Sequence, residues 1–345
     1  MARKPRKQFA EMKMADIAKL AGVSKSTVSR ALADSDQVSE STKARIRDIA
    51  SQHDYRLNTA ARDFRHRQTR TIKVVVPVGD AGIPHFTDPF VMDLLASIAD
   101  TLSDRDYNML LTKIALSSRE SIKQSFDTRG DDGVIVIGQM RFHDELNRIA
   151  ESRHPLVVWG AQFPDQKYVT VGSDNIAGAR AAVRHLLNLG HRRIAFFGDV
   201  RMAEPELRHQ GYVTELERTG VEYDSSLIFP MSYDRLSAYA EISRIIESGI
   251  AFDAVFGTSD VIAMSTIAAL HDHGLSVPDD IAVVGYDDIT LASFFSPALT
   301  TVSQNIARSG KVLVDKVLRL AAGETVESSL TPTELVVRKS CGARR

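Results

Sequence analysis

Residues 14–33 read MADIAKLAGVSKSTVSRALA. Ala15–Leu20 predicts a short helix with Ile17 and Leu20 on one face. Gly22 follows, a residue that takes positive φ without steric cost, so the chain can turn sharply there. Ser24 is a good N-cap for a second helix, since its hydroxyl can accept from the unpaired amides of the first turn. That helix buries Val28 and Leu32, spaced i, i+4. A third helix is expected from about Glu40 to Gln52, with Ser39 as its cap and Ile46 and Ile49 facing inward. Two short helices joined by a glycine turn make a helix-turn-helix. In that motif the start of the second helix enters the DNA major groove. Lys25 and Ser26 are therefore candidates for base-edge contact, and Thr27, Ser29 and Arg30 for bases or phosphates.

Charge follows the same division. Residues 1–70 hold 16 Lys and Arg against 8 Asp and Glu, whereas the remainder holds 27 against 36. The total of −1 thus hides a basic head on an acidic body. Such a head suits a polyanionic partner. Of the 345 residues 43% are hydrophobic and 25% charged, proportions that fit a globular chain and exclude a fibrous or disordered one. No run of about 18 apolar residues occurs, which argues against a membrane span. The opening MARKPRKQFAEMK is basic without an apolar stretch, so a secretory signal is not expected. The one cysteine, Cys341, cannot form an internal disulfide or the heart of a cysteine metal site. A cytoplasmic location is expected, with no cofactor and no metal.

The segment DIAKLAGVSKSTVSRAL resembles, position by position, the head of the lactose-repressor/galactose-repressor (LacI/GalR) family of bacterial transcription regulators. The matched positions are Asp-Ile-Ala, Ala-Gly-Val-Ser and Thr-Val-Ser-Arg-x-Leu. Further matches are DNIAGARAAVRHLLNLGHRRIAFFG, LRHQGY, VVGYDD and ELVVRKS, so the likeness covers nearly the whole chain. The resemblance implies that Lys25 and Ser26 hold the two positions that set operator choice.

It also implies a hinge within residues 53–71, HDYRLNTAARDFRHRQTRT. Taken alone, Asn58–Arg65 has helical propensity but is too short for a stable isolated helix, and such a segment could wait for DNA to order it. In the family it becomes a hinge helix that pairs with its copy in a dimer and enters the minor groove. Asn58 and Ala61 match that pattern. Phe64 stands where the family usually carries a leucine wedge. A phenylalanine can also part a base step, packing between head and body being the other reading. Leu57 replaces the family's usual proline, so the approach to the hinge is less fixed in φ.

Beyond Thr71 apolar runs alternate with amphipathic stretches. Strands are predicted at Ile72–Val76, Met109–Leu111, Val134–Ile137, Leu156–Trp159, Ile194–Phe197, Ala254–Phe256 and Ile281–Val284. Helices are predicted at Phe90–Leu102, Ile176–Leu189 and Val261–His271. This alternation implies parallel sheets covered by helices. It continues for about 270 residues, too long for one core, so two α/β lobes are expected. The resemblance implies a small all-α helix-turn-helix head plus an α/β periplasmic-binding-protein-like (type I) two-lobed body, with three crossovers and ligand in the cleft. The expected division is 1–13 as basic extension, 14–57 as head, 58–71 as hinge and linker, and 72–345 as the effector-binding and dimerisation domain. Lobe one is about 72–171 and 303–332; lobe two is about 172–302 and 333–345.

Ligands in such folds sit beyond the carboxyl ends of the strands. Those positions hold Asp88-Pro89-Phe90, Trp159, Ser259-Asp260 and Gly285-Tyr286-Asp287-Asp288, with Arg208 ahead of Gly211-Tyr212. Carboxylates and guanidinium bond hydroxyl pairs, and aromatic rings pack on a sugar's C–H face, so the set suits a polyhydroxylated ligand. The candidates are Phe90, Trp159, Arg208, Ser259, Asp260 and Asp287. Asp288 is left as a helix cap, and Phe90 and Trp159 also read as core residues. LRHQGY and VVGYDD resemble the family segments that carry the ligand-contacting arginine and aspartate, which here are Arg208 and Asp287.

Catalytic readings fail. Ser309-Gly310-Lys311 ends like a phosphate loop, but Asn305 stands in place of the required glycine and Val312 follows the lysine. No G-x-G-x-x-G follows a strand. His185 and His191 are too far apart to share a helix face as a metal pair. Asp287 and Asp288 are neighbours whose side chains diverge. An enzyme is not expected. The expectation is a homodimer on a pseudo-palindromic operator, repressing a carbohydrate-utilisation operon and released by a sugar-like inducer, the commoner effector in the family. A corepressor-dependent repressor answering to a purine-like metabolite and a carbohydrate-binding protein are the alternatives. The chain runs only briefly past its last strand, as SCGARR, without the leucine-heptad helix of the family's tetramers, which favours a dimer.

Overall fold

The computed structural model of the protein describes residues 14–32, 34–53, 69–78, 87–115, 130–139, 142–152 and 154–343. The chain divides into two compact units, residues 1–68 and 69–345. Elements are numbered in chain order among the described residues.

In the first unit α1 (Met14–Ala21), α2 (Lys25–Leu32) and α3 (Glu40–Gln52) surround one small core. Ile17, Val28 and Ile46 are fully buried in it, with Ala18, Ala21, Ala31 and Val38 around them. Gly22 has a φ of +61°. Its amide and that of Val23 donate back to the carbonyls of Lys19 and Ala18, which closes α1. Leu20 departs from expectation, being 56% exposed. The inward stripe of α1 runs through Ile17, Ala18 and Ala21, and at 100° per residue Leu20 falls beyond its edge. Ser39 precedes α3 but caps no amide; its hydroxyl contacts that of Thr42 at 2.9 Å instead.

The second unit holds two six-stranded sheets. The first contains β1 (Thr71–Val78), β2 (Asn108–Ala115), β3 (Gly133–Ile137), β4 (Leu156–Trp159), β5 (Val169–Ser173) and β11 (Ser329–Thr331). Their order is β11-β5-β4-β3-β1-β2, all parallel. The second contains β6 (Ile194–Phe197), β7 (Ile228–Phe229), β8 (Ala254–Gly257), β9 (Ala282–Asp287), β10 (Thr300–Ser303) and β12 (Glu334–Val336). Their order is β12-β10-β9-β8-β6-β7, parallel except that β12 runs against β10. Continuous apolar runs such as GVIVI in β3 and IAFF in β6 are buried at every position, as strands covered on both faces must be.

On the first sheet α4 (Pro89–Ser103) and α10 (Ile306–Ala321) cover one face and α5 (His143–Glu151) the other. On the second, α6 (Asn175–Asn188) and α7 (Ala203–Thr219) cover one face, and α8 (Arg235–Glu247) and α9 (Asp260–Asp272) the other. Leu94, Ile98 and Leu102 of α4, spaced i, i+4, expose nothing; each such side chain contributes about 1.5–3 kcal/mol. Helices α6 and α7 meet closely at Gly211, where a Cβ would lie 2.5 Å from the Ile176 carbonyl oxygen. That contact fixes the position of Arg208, one turn earlier on α7.

The chain crosses between the sheets three times: from β5 into α6, from β10 into α10, and from β11 to β12. At the start of the unit, Asp132 accepts from the backbone amides of Thr69 and Arg70, each at 2.8 Å. Strand β1 then begins at Thr71. Among the described residues no helix is long and apolar enough to cross a membrane.

Candidate functional site

In the head, the N-terminus of α2 carries the residues singled out for DNA. Ser24 caps it, accepting from the Thr27 amide at 3.1 Å. The same hydroxyl lies 2.7 Å from that of Ser26 and 2.8 Å from that of Thr27. Lys25, Ser26 and Arg30 are exposed, and Thr27 and Ser29 half-buried. Some of the head's other charges are engaged with one another. Lys43, almost fully buried, lies 2.7 Å from Glu40 and 3.2 Å from Asp34, which also accepts from Arg47. The bond from Lys43, then that from Arg47, holds the Asp34 carboxyl below the usual range. Lys25 and Arg30 face solvent, with no such carboxylate recorded beside them among the described residues. The hinge candidates Asn58, Ala61 and Phe64 lie outside the described residues.

In the body a cleft enclosing about 100 Å³ opens at the carboxyl ends of both sheets. One wall is aromatic: Phe90 at the start of α4 and Trp159 at the end of β4 have ring centroids 5.7 Å apart, tilted by 41°. Phe90 is placed by Asp88, which caps α4 by accepting from the Phe90 and Val91 amides at 2.9 and 3.3 Å.

The opposite side is polar. Arg208 is buried; its Nε donates to Asn175 Oδ1 at 2.8 Å and an Nη to the Thr258 carbonyl. Its guanidinium carbon lies 3.7 Å from the centre of the Tyr286 ring, a cation–π contact in a desolvated place, and 3.9 Å separates Nη1 from Asp287 Oδ1. Asp287 accepts from Gln304 Nε2 at 2.6 Å. Gln304 Oε1 in turn accepts from the Ser173 hydroxyl at 2.6 Å. Burial pushes the Asp287 carboxyl up to about 7, against the pull of Arg208 and with a further push from Asp88. The backbone here is strained: Asp287 and Asp288 have φ of +124° and +58°, values that non-glycine residues seldom take and that cost about 1–3 kcal/mol each, so surrounding contacts hold them.

A pocket with an aromatic wall and convergent hydrogen-bonding groups can orient a small polyol. Among the described residues no cluster of His, Cys, Asp and Glu could hold a metal.

Residues 13–58 match the profile of bacterial regulatory proteins of the lacI family, and residues 183–341 that of periplasmic binding protein-like domains. The chain is 32% identical to the HTH-type transcriptional regulator CelR of Thermobifida fusca over 330 residues, 94% of this chain and 96% of that one. The chain belongs to the LacI family. This LacI-family protein is a DNA-binding transcriptional regulator. It is also 30% identical to the HTH-type transcriptional repressor CytR of Escherichia coli (strain K12), over 99% of both chains. Among solved structures, that of a CelR–cellobiose complex superposes with a TM-score of 0.71 at 30% identity, covering 95% of this chain and 99% of that one. The Lac repressor dimer bound to operator and the anti-inducer ONPF gives 0.82 at 24% identity, covering 96% and 99%, a likeness of fold.

Of the six cleft candidates in this LacI-family chain, Phe90, Trp159, Arg208 and Asp287 line one cavity. Ser259 and Asp260 are not among its lining residues. Ser259 turns inward to cap α9, accepting from the Ile262 amide at 3.2 Å. Asp260 is fully buried and braces the loop after β9: its Oδ2 accepts from the Ile289 amide at 2.9 Å and its Oδ1 from the Thr301 hydroxyl. Burial, then the nearby Asp287, raises its carboxyl well above the ordinary range. Asp288 pairs with Arg338 at 2.6 Å. Sequence reasoning missed Asn175 and Gln304. Both follow strands, β5 and β10, so the strand-end rule would have found them had those strands been recognised.

Proposed function

We propose that this protein is a homodimeric, cytoplasmic repressor of carbohydrate-utilisation genes, released from a pseudo-palindromic operator by a sugar-like inducer. The chain of bonds from Ser173 through Gln304 to Asp287 carries this reading. Ser173 and Gln304 stand on two of the three crossovers between the sheets. A sugar that bonds Asp287 and Arg208 therefore pulls on the connections that set the angle between lobes. The enclosed volume, about 100 Å³, is below that of ordinary ligand pockets, roughly 300–1,000 Å³, so admitting a sugar requires the lobes to part. The likeness to a regulator captured with cellobiose supports a sugar in this place.

The roles follow. Lys25 and Ser26 read base edges, with Thr27, Ser29 and Arg30 beside them. Asn58, Ala61 and Phe64 act in a hinge over 58–71. Residues 72–345 bind effector, through lobes of about 72–171 with 303–332 and about 172–302 with 333–345. The body supplies the dimer face. Leu236, Leu291 and Phe294 are 71%, 53% and 81% exposed and border a groove of about 840 Å³ with Tyr239 and Met264. An apolar patch of this kind marks an interaction site, and a second copy can cover it by two-fold, self-complementary contact. The likeness to a repressor dimer on its operator supports both partners.

Footprinting on the DNA upstream of the gene tests the reading. A protected palindrome is expected, fading as sugar is added; no protected palindrome at any ligand state would sink it. Sedimentation of a Leu236→Asp, Phe294→Asp variant is expected to show monomers.

A further inference from the structure

The cleft has an excess of acceptors. Among the described residues lining it, Asp88, Glu204 and Asp287 carry carboxyl groups, and Arg208 is the one cationic side chain. The Arg208 donors are partly committed, to Asn175 and to the Thr258 carbonyl. Gln139 adds a further acceptor. Its Nε2 donates to the Ala161 carbonyl and lies 3.2 Å from the Tyr168 hydroxyl, while its Oε1 is buried with no hydrogen-bond partner. That oxygen rests at the cavity wall against Gly160, where a Cβ would lie 2.6 Å from it. A buried acceptor left unpaired is unfavourable until a donor reaches it. Beside these groups stands the apolar face of Phe90 and Trp159.

We propose that the cleft selects an uncharged, hydroxyl-rich glycoside and rejects phosphorylated and carboxylated sugars. This rests on the sugar reading above and narrows it. Hydroxyls donate to the carboxylates and to Gln139 Oε1, and C–H faces cover the rings. A phosphate or carboxylate brings acceptors where acceptors already crowd, and a negative charge among three carboxyl groups. The Asp287 carboxyl itself shows the local resistance to another anion, since burial and Asp88 hold it far above its usual range. At about 10 Å and an effective dielectric near 20, each unbalanced charge pair weakens binding by roughly ten-fold or more.

The full-length protein is titrated, by thermal shift and calorimetry, with glucose, galactose, cellobiose and maltose. Glucose 6-phosphate, galactose 6-phosphate, cellobiose 6-phosphate, maltose 6-phosphate, glucuronate and galacturonate serve as anionic counterparts. At least one neutral sugar is expected to bind, with its anionic counterpart at least about ten-fold weaker. An anionic sugar that binds as tightly as its neutral counterpart, or tighter, overturns the proposal and leaves the sugar reading standing. Silence from the whole panel removes the sugar reading and this inference with it. Glu204→Gln, which keeps shape and removes one charge, is expected to narrow the discrimination; an unchanged ratio overturns its electrostatic origin.

Discussion

Gln304 donates to Asp287 across 2.6 Å, which joins a crossover between the lobes to a residue of the cleft. The bond is charge-assisted whenever Asp287 is ionised, and such bonds are roughly twice as strong as neutral ones. Gln304 also receives the Ser173 hydroxyl from a second crossover, so its amide is shared between two connections of the lobes. Gln304→Ala is expected to leave sugar binding measurable but to collapse its effect on operator affinity. A coupling of about 5–150-fold is typical of allosteric proteins; in the variant it should fall to a few-fold. Operator titrations with and without sugar check this, and a variant that keeps full coupling rejects the link.

The same carboxyl makes effector binding depend on pH. Asp287 titrates at about 7 in the free protein, raised chiefly by burial. Sugar hydroxyls donate more strongly to the carboxylate than to its protonated form, so binding favours ionisation. Binding thus expels a fraction of a proton, and affinity rises with pH through about 7, then levels off. Without ligand the sign for folding is opposite. A carboxyl raised from 3.8 to about 7 is better tolerated protonated, and its contribution to stability declines as pH climbs through that window. Calorimetry in buffers of differing ionisation enthalpy reads the proton; Asp287→Asn should abolish its release.

Glu215 offers an opposite case. Its buried carboxylate accepts from Arg184 at 2.7 and 3.0 Å, from Arg218 at 2.6 and 3.0 Å and from Arg180 at 3.3 Å. The Arg184 bonds above all hold it down to about 2 from the ordinary 4.5. The stability this supplies is present above pH 4.5 and is lost as pH falls toward about 2. The arginines reach solvent, so the gain is discounted to roughly 2 kcal/mol. Glu215→Gln should lower the melting temperature at pH 7 and flatten its acid dependence below pH 4.5. An unchanged melting curve argues against the cluster.

The legible parts of the fold share one property. Strands such as Leu156–Trp159 and Ile194–Phe197 are continuous apolar runs, and their bounds were readable to the residue. VTVGS in β5 and TTVS in β10 mix hydroxyls and glycine with few apolar residues, so they resemble loops. They are buried only because the rest of the sheet assembles around them. The cost of missing them was Asn175 and Gln304, two polar residues of the cleft. Arg208 and Asp287 could be placed at the cleft through their family segments, whereas the inward bonds of Ser259 and Asp260 could not be read. Local sequence places a residue after a strand; which way its side chain points depends on partners distant in the chain, here Ile289 and Thr301.

The head makes the last prediction. Lys25 opens α2, and Arg30 lies in its last turn, so the two cannot do the same work on a duplex. The N-terminal residues of a recognition helix reach base edges, while residues farther along the helix can meet the backbone. Lys25→Ala should therefore weaken operator binding by about 1–3 kcal/mol and relax preference at one or two base pairs. Arg30→Ala should weaken binding evenly across sequences and reduce the salt slope by about one. Ser24→Ala removes the cap that organises both Ser26 and Thr27 and should cost the head about 1 kcal/mol of stability. Binding titrations across salt, on the operator and its single-base variants, separate the three. Lys25→Ala that leaves base preference intact would assign recognition to another part of the helix.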